Sequence, residues 1–177
     1  MRKGGGKAKG SENERTVCKV LSKWWTGKDK PIVFWRVGSS GAQFTLSGGA
    51  TDMSGDVVST HPDGSDFPFS VETKSVKSVD FSDLLFPGKK TNQIEAWWGQ
   101  CKSDALRASK IPLLLFRKNG MRKDSYFFMI EKDAFKNVGF YTFPHIISNG
   151  RIVGLFDDLI QTVTRSQVLE SIQKTRK

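Results

Sequence analysis

Three features of the 177-residue sequence predict an α/β fold with a central mixed β-sheet flanked by helices. Segments rich in β-branched and aromatic residues alternate with segments of helical periodicity. Hydrophobic residues make up 37 % of the chain and include 13 Phe and 5 Trp, enough to fill a core and to argue against a disordered basic protein. No internal repeat divides the chain, and its length suits one domain.

The elements follow in order. Residues 1–10, MRKGGGKAKG, read as a flexible basic arm, with Lys7 and Lys9 available to a nucleic-acid backbone. Residues 11–177 then form the single domain. A helix is expected from Ser11, a good N-cap, with Glu14 completing a capping box. Val17, Val20, Leu21 and Trp24 give its apolar stripe, Lys19 and Lys23 lie on a more exposed face, and Gly27 ends it. Pro31 opens a strand over Ile32–Val37, and the Gly/Ser/Thr-rich stretch 38–54 reads as a long loop near a functional site. Asp56–Val58 and Phe69–Lys74 are the next two strands. The THPDGSD run between them is turn chemistry, so the pair is expected to form a hairpin.

Residues 92–109 show helical spacing through Ile94, Trp97, Trp98, Cys101, Ala105 and Ala108, and adjacency divides Trp97 and Trp98 between core and interface. Ile111–Phe116 reads as a buried strand, Asn119-Gly120 as a turn and Ser125–Ile130 as a further strand. Glu131–Phe135 is a short helix or turn, and residues 157–175 are one C-terminal helix carrying Leu159, Ile160, Val163, Val168 and Ile172.

Charge narrows the function classes. The chain carries a formal net charge of +10, which points to a polyanion. The longest apolar run, Tyr126–Ile130, is far short of the roughly 20 residues of a membrane span. The basic N-terminus has no following apolar stretch, so no signal peptide is expected and a cytoplasmic site is (the host cytoplasm if the chain is viral). Cys18 and Cys101 form no CxxC pair and are expected as reduced thiols, and they and two histidines are too few for a zinc site.

The positive charge is not even. Residues 50–86 hold seven acidic and two basic side chains, a local −5 that leaves the remainder at +15. Asp63, Asp66, Asp80 and Asp83 read as solvated loop acids. Asp56 and Glu72 read differently. On a strand, positions i and i+2 share a face, so Glu72 and Lys74 project together, and Asp56 approaches from the neighbouring strand. Two carboxylates so placed can hold a hard cation such as Mg²⁺, with the Thr73 carbonyl as a further ligand. Lys74 can orient an attacking water and offset charge on a phosphate. Asp52 is a rival to Asp56, which is preferred because Val57-Val58 carries it into a core strand.

Asp56…Glu72-x-Lys74 resembles the PD-(D/E)XK nuclease signature, with Gly55 in place of the proline. More blocks resemble the archaeal-type Holliday junction resolvases, which also occur in phages. Lys9-Gly10-Ser11-Glu12-Asn13-Glu14-Arg15 is similar to the K-G-S-x-x-E-R opening of that family, and Arg36-Val37-Gly38-Ser39-Ser40-Gly41 to its R-x-x-x-S-G loop. Ser54–Val58 is similar to its P-D-[IV]-[IV] block and Val71–Ser75 to its I-E-x-K-S block. The likeness runs from residue 9 to about 118, with an added loop between Asp56 and Glu72.

The resemblance implies a restriction-endonuclease-like core and a metal-dependent, structure-selective endonuclease cutting four-way DNA junctions as a homodimer. It implies Asp56 and Glu72 as principal metal ligands and Glu14 as a helix-borne acid acting directly or through water. Lys74 would assist the water, and Ser40 would stand near the scissile phosphate. Lys9 and Arg15, with Lys7, Arg36 and Ser39, would contact DNA, and Gln100 would match a glutamine of this nuclease class, with Gln93 its rival. Mg²⁺ is the implied cofactor, with Mn²⁺ able to substitute. A nuclease for other DNA and a non-catalytic basic binding module are the competing functions.

Overall fold

Helix α1 (Gly5–Thr26) lays its apolar stripe across the sheet, burying Val17, Leu21 and Trp25. In the computed structural model, which describes residues 5–37, 55–59, 61–85, 92–135 and 142–175, this helix begins six residues before Ser11. Residues 5–10 are therefore helical rather than part of an arm. Lys7, Ala8 and Lys9 are all good helix formers, and Ser11, now in the helix interior, caps nothing. Lys7 and Lys9 thus ride on the first turns, and their side chains lie outside what is described.

Strand β1 (Phe34–Arg36) is anchored on α1 by one hydroxyl. Ser22 Oγ donates to the Cys18 carbonyl at 2.7 Å and accepts from Val33 N and Phe34 N at 3.1 and 3.2 Å. Strand β1 pairs antiparallel with β2 (Val57–Ser59), with Arg36 opposite Val57. The hairpin expected between residues 56–58 and 69–74 does not form: β2 ladders with β1 instead, and toward residues 69–74 the Asp56 carboxylate takes the bond from the Thr73 amide that a paired strand would make. One backbone bond, Asp56 N to Val71 O at 2.8 Å, ties the start of β2 to the larger sheet.

The five-stranded sheet contains β3 (Phe69–Val76), β4 (Ile111–Lys118), β5 (Phe127–Glu131), β6 (His145–Ser148) and β7 (Arg151–Leu155) in the order β3-β4-β5-β7-β6. Strands β3 and β4 are parallel and are joined by helix α2 (Gln93–Arg107), since a parallel pair needs a crossover. The remaining pairs are antiparallel. Both faces are covered, which explains the unbroken apolar run of β4: Leu113 and Leu115 pack toward α1, Leu114 and Phe116 toward α2. A mixed sheet between helices agrees with the expected restriction-endonuclease-like core. Among the described residues, no helix is long and apolar enough to cross a membrane.

The C-terminal helix is two helices, α3 (Phe156–Thr162) and α4 (Arg165–Thr175). Val163 is extended (φ −115°, ψ 116°), and Thr164 and Gln167 form a reciprocal capping box in which Gln167 Oε1 accepts from Thr164 N at 2.8 Å. Two of the acids read as solvated are structural. Asp66 accepts from Trp25 Nε1 at 2.9 Å and pairs with Arg165 at 2.6 Å. Asp83 is buried and accepts from Gln93 N at the start of α2 at 3.1 Å. Cys18 and Cys101 are free thiols, both buried.

Candidate active site

Strand β3 is an edge strand, and its outer edge faces the start of β2. There the Asp56 carboxylate takes the place of a neighbouring strand. Its Oδ2 accepts from Thr73 N at 2.8 Å and from Thr73 Oγ1 at 3.0 Å. The N–H and C=O of a strand residue leave the same edge, so the Thr73 carbonyl projects to the Asp56 side as well. Gly55 makes this approach possible. Its φ is +89°, and a Cβ there would lie 2.8 Å from the Val71 carbonyl oxygen. A proline, with φ fixed near −65°, does not fit this backbone.

Glu72 and Lys74 project together on the α2 side of β3. Lys74 Nζ is 2.5 Å from Glu72 Oε1 and donates to Gln100 Oε1 at 3.1 Å. Gln100, not Gln93, is therefore the glutamine that α2 brings to the motif. The Glu72 side chain is 3 % exposed. Burial and then the charge of Asp56 push its carboxyl up to about 7. Asp56 is raised as well, by burial, against the pull of its two bonds from Thr73.

Glu14 reaches the same region from α1. Burial and the Asp56 charge raise its carboxyl, and Arg36 NH1 lies 3.4 Å from Glu14 Oε2. Glu14, Arg36, Asp56, Thr73, Glu72, Lys74 and Gln100 thus gather at one sheet edge. Arg15 is exposed on α1 beside Glu14. Ser39, Ser40 and the rival Asp52 lie outside the described residues.

One acid went unread in the sequence. Asp104 is buried on α2, pairs with Arg107, and its charge raises both Asp56 and Glu72. Its signal was its place beside Cys101 and Ala105 on the helix stripe facing the sheet.

Among the described residues, no group of three carboxylate, His or Cys side chains converges to enclose an ion. The donors fit a cation of another kind. Asp56 and Glu72 are two hard carboxylates that repel each other, with a backbone carbonyl at the same edge. Such a set suits Mg²⁺, which takes one or two carboxylates and completes its shell with water and substrate phosphate.

A family described as "Phage putative PDDEXK endonuclease" matches residues 5–168. The match includes β6, β7 and α3, beyond the blocks legible in the sequence. No curated protein and no solved structure matches the chain. The matched span takes in the edge of β3 with its Asp56, Glu72 and Lys74, and by it the chain belongs to this PDDEXK endonuclease family.

Proposed function

We propose that the protein is a divalent-metal-dependent endodeoxyribonuclease that cuts phosphodiesters by attack of water, and that four-way junction DNA is its substrate. The observation that carries the nuclease reading is the meeting of Asp56, Glu72 and Lys74 at the outer edge of β3. Asp56 and Glu72 would hold the ion. The chemistry supplied by a bound divalent cation is acidification of water and neutralisation of phosphate charge. Lys74, held by Gln100, offers its ammonium to the incoming water and to the developing negative charge. Arg36 steadies Glu14, which can accept a proton from a water in the site. The water oxygen bonds to phosphorus, the bond to the 3′ oxygen breaks, that oxygen takes a proton from solvent water, and 5′-phosphate and 3′-hydroxyl ends result.

The junction reading rests on the sequence blocks around Lys9–Arg15, Arg36–Gly41, Asp56 and Glu72. Resolution of a junction takes two symmetric cuts, which a homodimer supplies. The test incubates the protein with Mg²⁺ or Mn²⁺ and labelled four-way junction, linear duplex and single strand, alongside Glu72→Ala and Asp56→Asn. Paired, junction-selective cuts lost in both variants support the proposal. Equal cutting of linear duplex replaces the junction with duplex as substrate. Binding without cleavage in either metal overturns the nuclease reading in favour of a binding module.

A further inference from the structure

Strand β1 turns one large aromatic outward. Trp25 and Trp98 are buried and Trp24 and Trp97 half-buried, whereas Trp35 is 55 % exposed. It borders a cleft of about 280 Å³ whose apolar lining includes Phe34 and Cys18 and whose cations are Arg15, Lys19 and Arg36. Among the described residues that line it none is a carboxylate, and the nearest, Glu14, pairs with Arg36 at its border. At this size it has room for a planar ring. The aromatic is held in place: Ser22 Oγ fixes the backbone of Val33 and Phe34, and Trp35 pairs with Val58 of β2.

The cleft adjoins the acids. Arg36 reaches Glu14 at 3.4 Å, and Val37 N donates to the Asp56 carbonyl at 2.9 Å. An apolar ring slot with three cations around it matches an unstacked nucleotide, which presents a flat apolar face and a negative phosphate together. A continuous duplex offers the phosphates but keeps its base faces stacked inside.

We propose that this cleft receives an unpaired nucleotide of the DNA beside the phosphate to be cut, its base stacked on Trp35 and its phosphate held by Arg15 and Lys19. This rests on the nuclease reading above and narrows its substrate to DNA with locally open base pairs. Trp35 is then a specificity-determining residue, and Lys19 serves any DNA.

The test measures binding by fluorescence anisotropy in EDTA, where no cutting occurs. The probes are a continuous duplex and the same duplex carrying a short unpaired bulge. Trp35→Ala should lose roughly ten-fold in affinity for the bulged probe and less than about two-fold for the continuous one. Trp35→Phe, which keeps a ring, should restore most of the loss, and a thermal melt should match wild type. Lys19→Glu should weaken both probes and flatten the salt dependence. Equal loss on both probes, or no loss on either (the result if a protein partner covers Trp35 instead), overturns the proposal. A separate Mg²⁺ cleavage assay on wild type keeps the two readings apart. Cutting by wild type with an indifferent Trp35→Ala sinks only the cleft, and no cutting of any DNA sinks the nuclease.

Discussion

The ammonium of Lys74 lies 2.5 Å from the Glu72 carboxylate, so the two motif residues on β3 form an ion pair that a substrate phosphate and a cation would have to share. Lys74 is among the groups that pull the Glu72 carboxyl down against burial and Asp56. Removing it by Lys74→Ala should raise Glu72 further and move the pH profile of residual cleavage toward alkaline pH. The rate should fall roughly 100-fold or more, as for loss of a charge stabiliser in the transition state. Cleavage rates across pH check this, and an unshifted profile would count against it.

Glu72→Gln and Asp56→Asn should each reduce cleavage by about two orders of magnitude or more while DNA binding in EDTA stays near wild type. The acids contribute no attraction to phosphate, so their loss should leave the basic surface intact. A matching collapse of affinity would mean that the fold, not the chemistry, had been lost.

Stability should depend on pH through the same acids. Glu72 is raised from 4.5 to about 7, and Glu14 and Asp56 move in the same direction. A carboxyl raised in the folded state contributes stability below its unfolded pKa and loses it as pH rises through the folded value. The metal-free protein should therefore weaken between about pH 4.5 and pH 7. Mg²⁺ should raise Tm more at pH 8 than at pH 5, because it binds the ionised acids. Differential scanning fluorimetry with and without EDTA measures this, and a pH-independent shift would contradict it.

A different ion pair holds the sheet to α2. Arg151 of β7 is 6 % exposed and makes a two-pronged contact with Glu95 at 2.8 and 2.5 Å. Arg151→Ala leaves Glu95 without its partner and opens a hole beneath the helix, at a cost of about 3 kcal/mol. That should appear as a Tm lower by roughly 6–12 °C for a chain of this size. A thermal melt indistinguishable from wild type would show the pair to be dispensable.

Much of the site was legible because strand geometry is local. The two-residue spacing of Glu72 and Lys74 fixes a shared face whatever the rest of the fold does, whereas Gln100 came only from the family resemblance, and the placing of α2 decides between it and Gln93. Pairing partners were harder. The turn residues between Asp56 and Glu72 suggested a hairpin, but the choice of β1 for β2 depends on Ser22, which fastens β1 from a distant helix. The β6–β7 hairpin has its signal in Asn149-Gly150, both at positive φ between two apolar runs. The break at Val163 was likewise written in the Thr164/Gln167 capping box. The stripe position of Asp104 beside Cys101 and Ala105 marked it as buried, but its closeness to Asp56 and Glu72 depends on which part of the sheet lies beneath the helix.

The bonds from Thr73 to Asp56 have a second consequence, for solubility. A strand at the rim of a sheet invites other chains to add to it, and β3 carries a phenylalanine and two valines. Asp56 occupies that rim with a charge and satisfies the Thr73 amide. The acid proposed to hold a cation would then also guard the sheet against self-association. Asp56→Asn keeps an oxygen to accept from Thr73 and should stay monodisperse. Asp56→Ala uncovers the amide and should aggregate sooner on storage or mild heating, which light scattering would register.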